Sequence, residues 1–234
     1  LLINTIFQLM AEKEANQSCL DVSQNLLFTP DLINFWLTGE KGNEITMAST
    51  SQMLNQSSRA WDFELLDRLN LPTHMLGQLW EPGHLVGTVR GCAQDKIRCQ
   101  DLPVFTVGSH DTASAVAGVP ASSGSDFAYI SSGTWSLMGV ELDQPLCDAE
   151  SDQLGFTNEF GVSRDVRYLK NISGLWIVQE CRRHWQLGGE EFDYAQLTSM
   201  AREARPFSAI LDVDDSVFST IGEMPSKIAE RCVT

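Results

Sequence analysis

The sequence predicts a mixed fold of the α/β or α+β class, because segments with helical periodicity alternate with short strand-like segments. The chain has 234 residues, of which 43% are hydrophobic and 20% are charged, so it can bury a substantial core. Domains usually contain roughly 100 to 150 residues, and we therefore expect two of them. A stretch rich in serine at 120–126 is the best candidate for the connection between them.

The first third of the chain is mainly helical by its apolar spacing. One helix is predicted over Thr5–Glu14, and a second begins with Thr29 as a candidate cap and ends at Gly39. A third helix is predicted over Asp62–Leu69. The stretch 43–58 is rich in Ser, Thr and Asn, whose side chains compete for backbone hydrogen bonds, so strands and turns are favoured there over a long helix.

The middle of the chain alternates between strands and turns. A strand at Val104–Val107 is followed by a glycine turn and by a helix of small residues at Thr112–Ala117, which makes a strand–turn–helix unit. Two further strands, at Phe127–Ile130 and Trp135–Val140, flank the tight turn Ser131–Thr134 and predict a β-hairpin.

The last third predicts a strand at Val166–Leu169 that runs directly into a helix. The apolar and amide residues at 172, 175, 176, 179 and 181 share roughly one face of that helix, which the pair Gly188–Gly189 ends. A further helix begins at the candidate cap Asp193 and ends before Pro206.

The charge of the chain limits its partners. It contains 16 Lys and Arg against 31 Asp and Glu, which gives a net charge of −15. Such a chain lacks the basic surface for nucleic acid or an anionic membrane, and no apolar run reaches the roughly 18 to 20 residues of a membrane-spanning helix. A small anionic ligand such as a nucleotide is still compatible, because backbone N–H groups and a divalent cation can hold phosphates.

Cysteine and histidine spacing indicates neither disulfides nor a metal site. The six cysteines form no CxxC pair and are too sparse to stabilise a chain of this size, so we expect reduced, buried thiols and a cytoplasmic protein. The four histidines lack the paired spacing of a zinc site. A serine hydrolase is disfavoured because no GxSxG motif occurs. The sequence does not fix an oligomeric state.

The first candidate for chemistry is Ser109-His110-Asp111-Thr112, where a strand gives way to a helix. A carboxylate at this place is exposed and is kept ionised by the positive end of the helix dipole. Asp111 could therefore accept a proton from an alcohol, with His110 and Thr112 holding neighbouring polar atoms. An aspartate beside a helix start is also a common N-cap, and spacing alone favours that role.

The second candidate is the hairpin turn, where Gly133 permits a close backbone approach and the Thr134 hydroxyl can reach a phosphate. A plain turn is the alternative, and the segment lacks the lysine of a Walker A motif. Asn171 and Gln179 form the third candidate. They lie eight residues apart, which on one helix places both amides toward the same cleft. Helix capping is the alternative role of Asn171.

Taken together, these segments resemble the FGGY carbohydrate kinase family, and most closely its rhamnulose-phosphorylating branch. The resemblance covers nearly the whole chain, and its most specific parts are Ser-His-Asp-Thr and Ser-Ser-Gly-Thr-Trp-Ser. The matching segments are Ile3–Thr5, Pro30–Gly39, Asn43–Glu44 with Ala48–Gln52, Gly108–Ala115, Ser131–Gly139 and Leu169–Gln179.

The resemblance implies two domains of the actin-like, ribonuclease H-like ATPase fold, with sugar and ATP between them. Residues 1–121 would then be the end of the first, sugar-side domain, and 122–234 the beginning of the second, nucleotide-side domain. Its implied reaction is phosphorylation of L-rhamnulose to L-rhamnulose 1-phosphate by ATP and Mg²⁺. Asp111 would be the general base, while the implied contacts are His110, Thr112 and Asn171 with the ketose and Gly133, Thr134 and Gln179 with ATP.

Family members begin with a glycine-containing phosphate hairpin and finish with a glycine-rich adenine-binding segment, and this sequence contains neither. The expectation is therefore that the chain is the central part of such a kinase and that it is inactive alone. Two alternatives stay open. One is a different ketose, such as fuculose or xylulose, and the other is a noncatalytic sugar-binding fragment.

Overall fold

The computed structural model describes residues 4–99, 101–121 and 127–232, and this part of the chain divides into two compact units. Unit 1 contains the residues up to Ala128 together with Val140–Leu169. Unit 2 contains Tyr129–Gly139 and the residues from Lys170 onward. The serine-rich connection lies mostly outside the described residues, so the domain boundary between 121 and 122 stays a prediction.

Short helices dominate unit 1. They are α1 (Thr5–Val22), α2 (Thr29–Thr38), α3 (Ile45–Ser49), α4 (Phe63–Arg68), α5 (Gly91–Ile97), α6 (Asp111–Ala117) and α7 (Ala149–Leu154). As predicted, α2 carries a proline in its first turn and ends at Gly39 with a left-handed φ of 78°. Thr29 is its first helical residue, so the prediction of Thr29 as the N-cap is wrong and Phe28 holds that position. α1 runs past the predicted end and kinks at Asn16.

Three pairs of short strands connect these helices. β1 (Asn43–Glu44) runs parallel to β4 (Leu79–Trp80), while β2 (Leu54–Asn55) and β3 (Ala60–Trp61) are antiparallel. β5 (Leu85–Thr88) and β6 (Pro103–Phe105) are also antiparallel. The strands and turns predicted for 43–58 are therefore present, together with the one-turn helix α3.

A four-stranded sheet contains the longest of the described strands. These are β7 (Ala128–Ser132), β8 (Trp135–Leu142), β9 (Phe156–Phe160) and β10 (Val166–Ser173), in the order β7-β8-β10-β9. Two residues join β7 to β8, which confirms the predicted hairpin.

The end of β10 corrects a sequence prediction. The strand continues through Ser173 and the next helix begins only at Trp176, so Asn171 lies in a strand and not in a helix. The prediction that Asn171 and Gln179 share one helix face is therefore wrong, and so is helix capping by Asn171. The reason is tertiary, because β10 lies between β8 and β9 and sheet pairing extends the strand past residue 169.

Unit 2 packs its helices around a small core. Its helical elements are α8 (Trp176–Leu187), α9 (Tyr194–Glu203), a 3₁₀ helix (Ser216–Ser219) and α10 (Met224–Arg231). Ile177, Cys181, Phe218 and Met224 are buried together. Asp193 caps α9 in a reciprocal capping box with Gln196, as its position predicted.

The core of unit 1 is larger and includes residues from α1 to the start of β10. Its buried members are Ile6, Leu9, Leu20, Phe28, Ile45, Ala48, Met53, Leu54, Trp61, Leu66, Leu71, Met75, Phe160 and Val166. The prediction of buried thiols is wrong for Cys19, Cys99 and Cys147, which are exposed, and is confirmed for Cys181 in unit 2. Within the described ranges, no helix combines the length and the apolar character needed to cross a membrane.

Candidate active site

Asp111 is the first residue of α6, directly after the loop that follows β6, which confirms the predicted strand–turn–helix unit. Its side chain is 96% exposed. One carboxylate oxygen accepts a hydrogen bond of 2.7 Å from the Thr112 N–H, and the buried Thr112 hydroxyl lies 3.3 Å from the same oxygen. His110 occupies the N-cap position of α6, so Asp111 does not have the capping role that spacing alone favours. Its carboxylate is accessible to a ligand.

The loop before Asp111 is held by a carboxylate from a distant part of the sequence. Glu44 is fully buried at the start of α3, and its Oε2 accepts a hydrogen bond of 3.0 Å from the Ser109 N–H. The same oxygen accepts from the Thr46 hydroxyl, which in turn accepts the His110 N–H at 3.2 Å. Two consecutive backbone amides immediately before Asp111 are therefore fixed by one buried pair of side chains.

A second buried carboxylate supports Glu44. Asp31 accepts the Glu44 N–H at 3.0 Å and the Asn43 side-chain amide at 3.1 Å. Burial raises the pKa of Asp31 to about 6, while these hydrogen bonds oppose the shift. Asn43 also donates to the Leu26 carbonyl at 3.0 Å. The network therefore joins α2 and β1 to the loop before Asp111.

Little space is left for a side chain at residue 108 in this loop. A Cβ atom added there would lie 2.6 Å from the Val162 Cγ2 and 3.1 Å from the Ser114 Oγ. A side chain at residue 108 would therefore require either the Val162 and Ser114 side chains or the loop before Asp111 to shift.

His110 packs against two charged residues of the neighbouring strands. The buried guanidinium of Arg167 on β10 lies 3.0 Å from the His110 Nδ1 and 2.8 Å from the Glu159 carboxylate on β9. Burial lowers the pKa of His110, and Arg167 acts in the same direction. The sequence predicted His110 but neither of these partners. An arginine within the apolar strand segment 166–169 was the available signal for Arg167, since a charge is rarely buried without a partner.

The second group of predicted residues lies in unit 2. Gly133 and Thr134 are the two residues between β7 and β8, and their carbonyls accept the N–H groups of Leu175 and Trp176 at 2.9 and 3.0 Å. The Gln179 side chain donates to the Thr134 hydroxyl at 3.2 Å. The start of α8 is thus fastened to the hairpin turn, and the three predicted residues come together.

Gly174 permits this contact between the hairpin turn and the start of α8. A Cβ atom there would overlap the Ser136 hydroxyl and lie 2.6 Å from the Gly133 carbonyl oxygen.

Asn171 is half-buried on β10, and its side chain makes no hydrogen bond to the described residues. Its amide is therefore available to a ligand. Across the ranges that the structure describes, no three His, Cys, Asp or Glu side chains form a metal-ligand group.

Solved structures with a similar fold include sugar kinases. A xylulose kinase from Lactobacillus acidophilus superposes with a TM-score of 0.71 at 19% identity, over 87% of this chain and 40% of that one. A gluconate kinase from the same organism gives 0.70 at 19% identity, with the same coverage. At this identity the likeness shows the fold, which is the predicted actin-like α/β fold, present in part.

Sequence matches then give the family. Residues 4–118 match the N-terminal domain, and 128–230 the C-terminal domain, of the FGGY family of carbohydrate kinases. The chain belongs to this family. Similar proteins include the rhamnulokinases of Bacteroides thetaiotaomicron, 39% identical over 99% of this chain, and Enterococcus faecalis, 38% identical over 98%. The chain spans about half the length of these relatives, 47% and 45% respectively.

Proposed function

We propose that the protein transfers the γ-phosphoryl group of ATP to the 1-hydroxyl of L-rhamnulose, with Asp111 as the general base. The observation that carries this proposal is the exposed Asp111 carboxylate beside a loop whose two preceding amides are fixed by Glu44 and Thr46. Phosphoryl transfer depends mainly on positioning and on charge stabilisation, and a carboxylate that follows a hydrogen-bonded loop and accepts the Thr112 N–H meets the first requirement. The choice of L-rhamnulose rests on the similarity of this chain to the two rhamnulokinases.

In this reaction Asp111 removes the proton from the sugar hydroxyl while the oxygen of that hydroxyl forms a bond to the γ-phosphorus. The bond from phosphorus to the bridging oxygen breaks, and ADP leaves. The side chains of His110, Thr112 and Asn171 contact the ketose and orient the hydroxyl toward the carboxylate. Because Thr112 is buried and bonded to Asp111, its main contribution is to hold that carboxylate.

We assign the nucleotide side to Gly133, Thr134 and Gln179. The Thr134 hydroxyl accepts a hydrogen bond from the Gln179 side chain. The proton of the Thr134 hydroxyl can therefore be donated to a phosphate oxygen. Mg²⁺, when bound, neutralises charge on the phosphates. Within the described residues no three His, Cys, Asp or Glu side chains form a metal-ligand group, so the phosphates and water would supply most of the ligands of this ion. In this scheme 1–121 is the sugar side, 122–234 is the nucleotide side, and the protein is cytoplasmic.

The test compares Asp111→Asn with Asp152→Asn in the complete protein that the gene encodes. Asp152 is an exposed acid in the first turn of α7 and serves as a matched control. ADP release is measured with a panel of rhamnulose, fuculose and xylulose. We expect Asp111→Asn to lower kcat by roughly 10²- to 10⁴-fold and the control to leave it unchanged.

Equal turnover of the two variants would refute the role of Asp111. Preference for fuculose or xylulose would correct the substrate and keep the mechanism. Calorimetry of the 234-residue chain with rhamnulose and with ATP separates the noncatalytic alternative, in which sugar binds without any turnover.

A further inference from the structure

Arg167 is a charged residue buried beside the candidate active site, and no step of the proposed reaction uses it. Its side chain is fully buried on β10 within unit 1. One guanidinium nitrogen, Nη2, contacts both the Glu159 carboxylate at 2.8 Å and the His110 Nδ1 at 3.0 Å. Nε points to the Phe160 carbonyl at 3.4 Å. The guanidinium is therefore fixed in orientation by β9 on one side and touches the imidazole on the other.

This contact determines where the imidazole carries its proton. A guanidinium has only N–H donors and keeps its charge at any pH that a folded protein tolerates. The His110 Nδ1 must therefore be the acceptor, which requires a neutral ring with its proton on Nε2. The Glu159 oxygen lies 3.6 Å from Nδ1, too far for a hydrogen bond, and its charge is already paired with Arg167.

We propose that Arg167 is a positioning residue that holds His110 neutral, with Nδ1 as acceptor and the N–H of Nε2 presented beside Asp111. The His110 Nε2 lies 3.8 Å from the Asp111 Oδ1, so the donor lies next to the carboxylate. A sugar that gives its hydroxyl proton to Asp111 can then accept a hydrogen bond from His110 through a neighbouring oxygen. A protonated His110 would instead pair with Asp111 and weaken it as a base.

The charges around His110 make this assignment sensitive to Arg167. Glu159 on β9, Asp111 on α6 and Glu44 on β1 all favour the imidazolium, whereas burial and Arg167 oppose it. Without the guanidinium, Glu159 would be an unpaired acceptor facing Nδ1. The ring would then take up a proton there. The role of His110 in sugar binding rests on the proposed function, whereas the assignment of its tautomer does not.

The experiment is ¹⁵N NMR of the four histidine rings in the 234-residue chain without ligands, with His110→Asn to assign the signal. In the wild-type chain we expect an unprotonated Nδ1 and a protonated Nε2 at pH 7, persisting to below the usual histidine pKa of about 6.5. A protonated Nδ1 or an imidazolium at pH 7 overturns the proposal, whatever happens to any variant.

Two variants then test the cause. In Arg167→Met we expect the His110 pKa to rise by more than about one unit and Nδ1 to become protonated. In the control, Glu159→Gln, the Nε2–H tautomer should persist and the pKa should fall further. Signals of His74, His84 and His184 report whether the fold is kept. An unchanged His110 tautomer and pKa in folded Arg167→Met overturns the proposal.

Kinetics distinguish this inference from the proposed function. If the complete protein phosphorylates the sugar, Arg167→Met should raise the KM for sugar and displace the acid limb of the pH profile to higher pH, with little change in the KM for ATP. If the NMR results are as expected and no sugar is phosphorylated, the proposed function fails and the assignment of Arg167 stands.

Discussion

Replacing Glu44 by glutamine should loosen the loop that carries Asp111. The buried carboxylate accepts four hydrogen bonds, from the Thr46 N–H and hydroxyl, the Met47 N–H and the Ser109 N–H. Three of them end on Oε2 and one on Oε1. Glutamine has one acceptor oxygen, so its best orientation keeps the three bonds and places its NH₂ group against the Thr46 N–H.

The magnitude follows from this inventory. One hydrogen bond to a charged acceptor is lost, which is worth about 1.5–3 kcal/mol, and a buried donor is left without an acceptor. The remaining three bonds weaken because the acceptor is neutral. Relief of a buried charge offsets part of the loss. We expect Glu44→Gln to lower the free energy of unfolding by about 2–4 kcal/mol, a large fraction of the usual 5–15 kcal/mol.

Urea unfolding measures the free energy, and native-state hydrogen exchange measures the loop directly through the Ser109 and His110 amides. The matched control is Glu64→Gln, an exposed glutamate in the first turn of α4. A loss below about 0.5 kcal/mol, the usual range of surface substitutions, would refute the reasoning. So would unchanged exchange at Ser109, because its amide bonds to the altered side chain.

Two further predictions concern the supporting residues. Because the pKa of Asp31 is raised from 3.8 to about 6 in the folded chain, its contribution to stability grows as pH falls from 7 to 4, by up to about 3 kcal/mol. Urea unfolding of wild type and Asp31→Asn should therefore differ increasingly in favour of wild type toward pH 4, and a difference independent of pH would contradict this. Gly174→Ala should destabilise the chain by about 1–3 kcal/mol, since its Cβ would overlap Ser136. Thermal unfolding beside Gly118→Ala, whose Cβ meets only an ordinary contact at 3.4 Å, tests this, and equal melting temperatures would count against it.

Much of the candidate site was predictable because its signals are local. A strand, a turn and a helix of small residues placed Asp111 at a helix start, and the Ser-Gly-Thr sequence placed Thr134 in a hairpin turn. The side chain of Gln179 does meet Thr134, although the predicted common helix with Asn171 was wrong. The meeting arises because the start of α8 is bound to the hairpin turn.

The residues that support the site were not predictable from local pattern. Glu44 lies 65 residues from the Ser109 amide that it holds, and Arg167 lies 57 residues from His110. From the sequence, a residue with a carboxylate or a guanidinium is predicted to be solvent-exposed, since burial of a charge without a partner is costly. Its partner becomes known only when the backbone groups that need an acceptor are known.

The sequence by itself determined the mixed fold, the resemblance to a family of carbohydrate kinases and the positions of helix ends such as Gly39 and Asp193. These depend on conformational preferences and hydrogen bonds within a few residues of one another. Only the tertiary structure decided that β10 continues through Asn171, because that depends on the strands beside it. It also decided the protonation of His110, because one buried guanidinium from another strand supplies the donor.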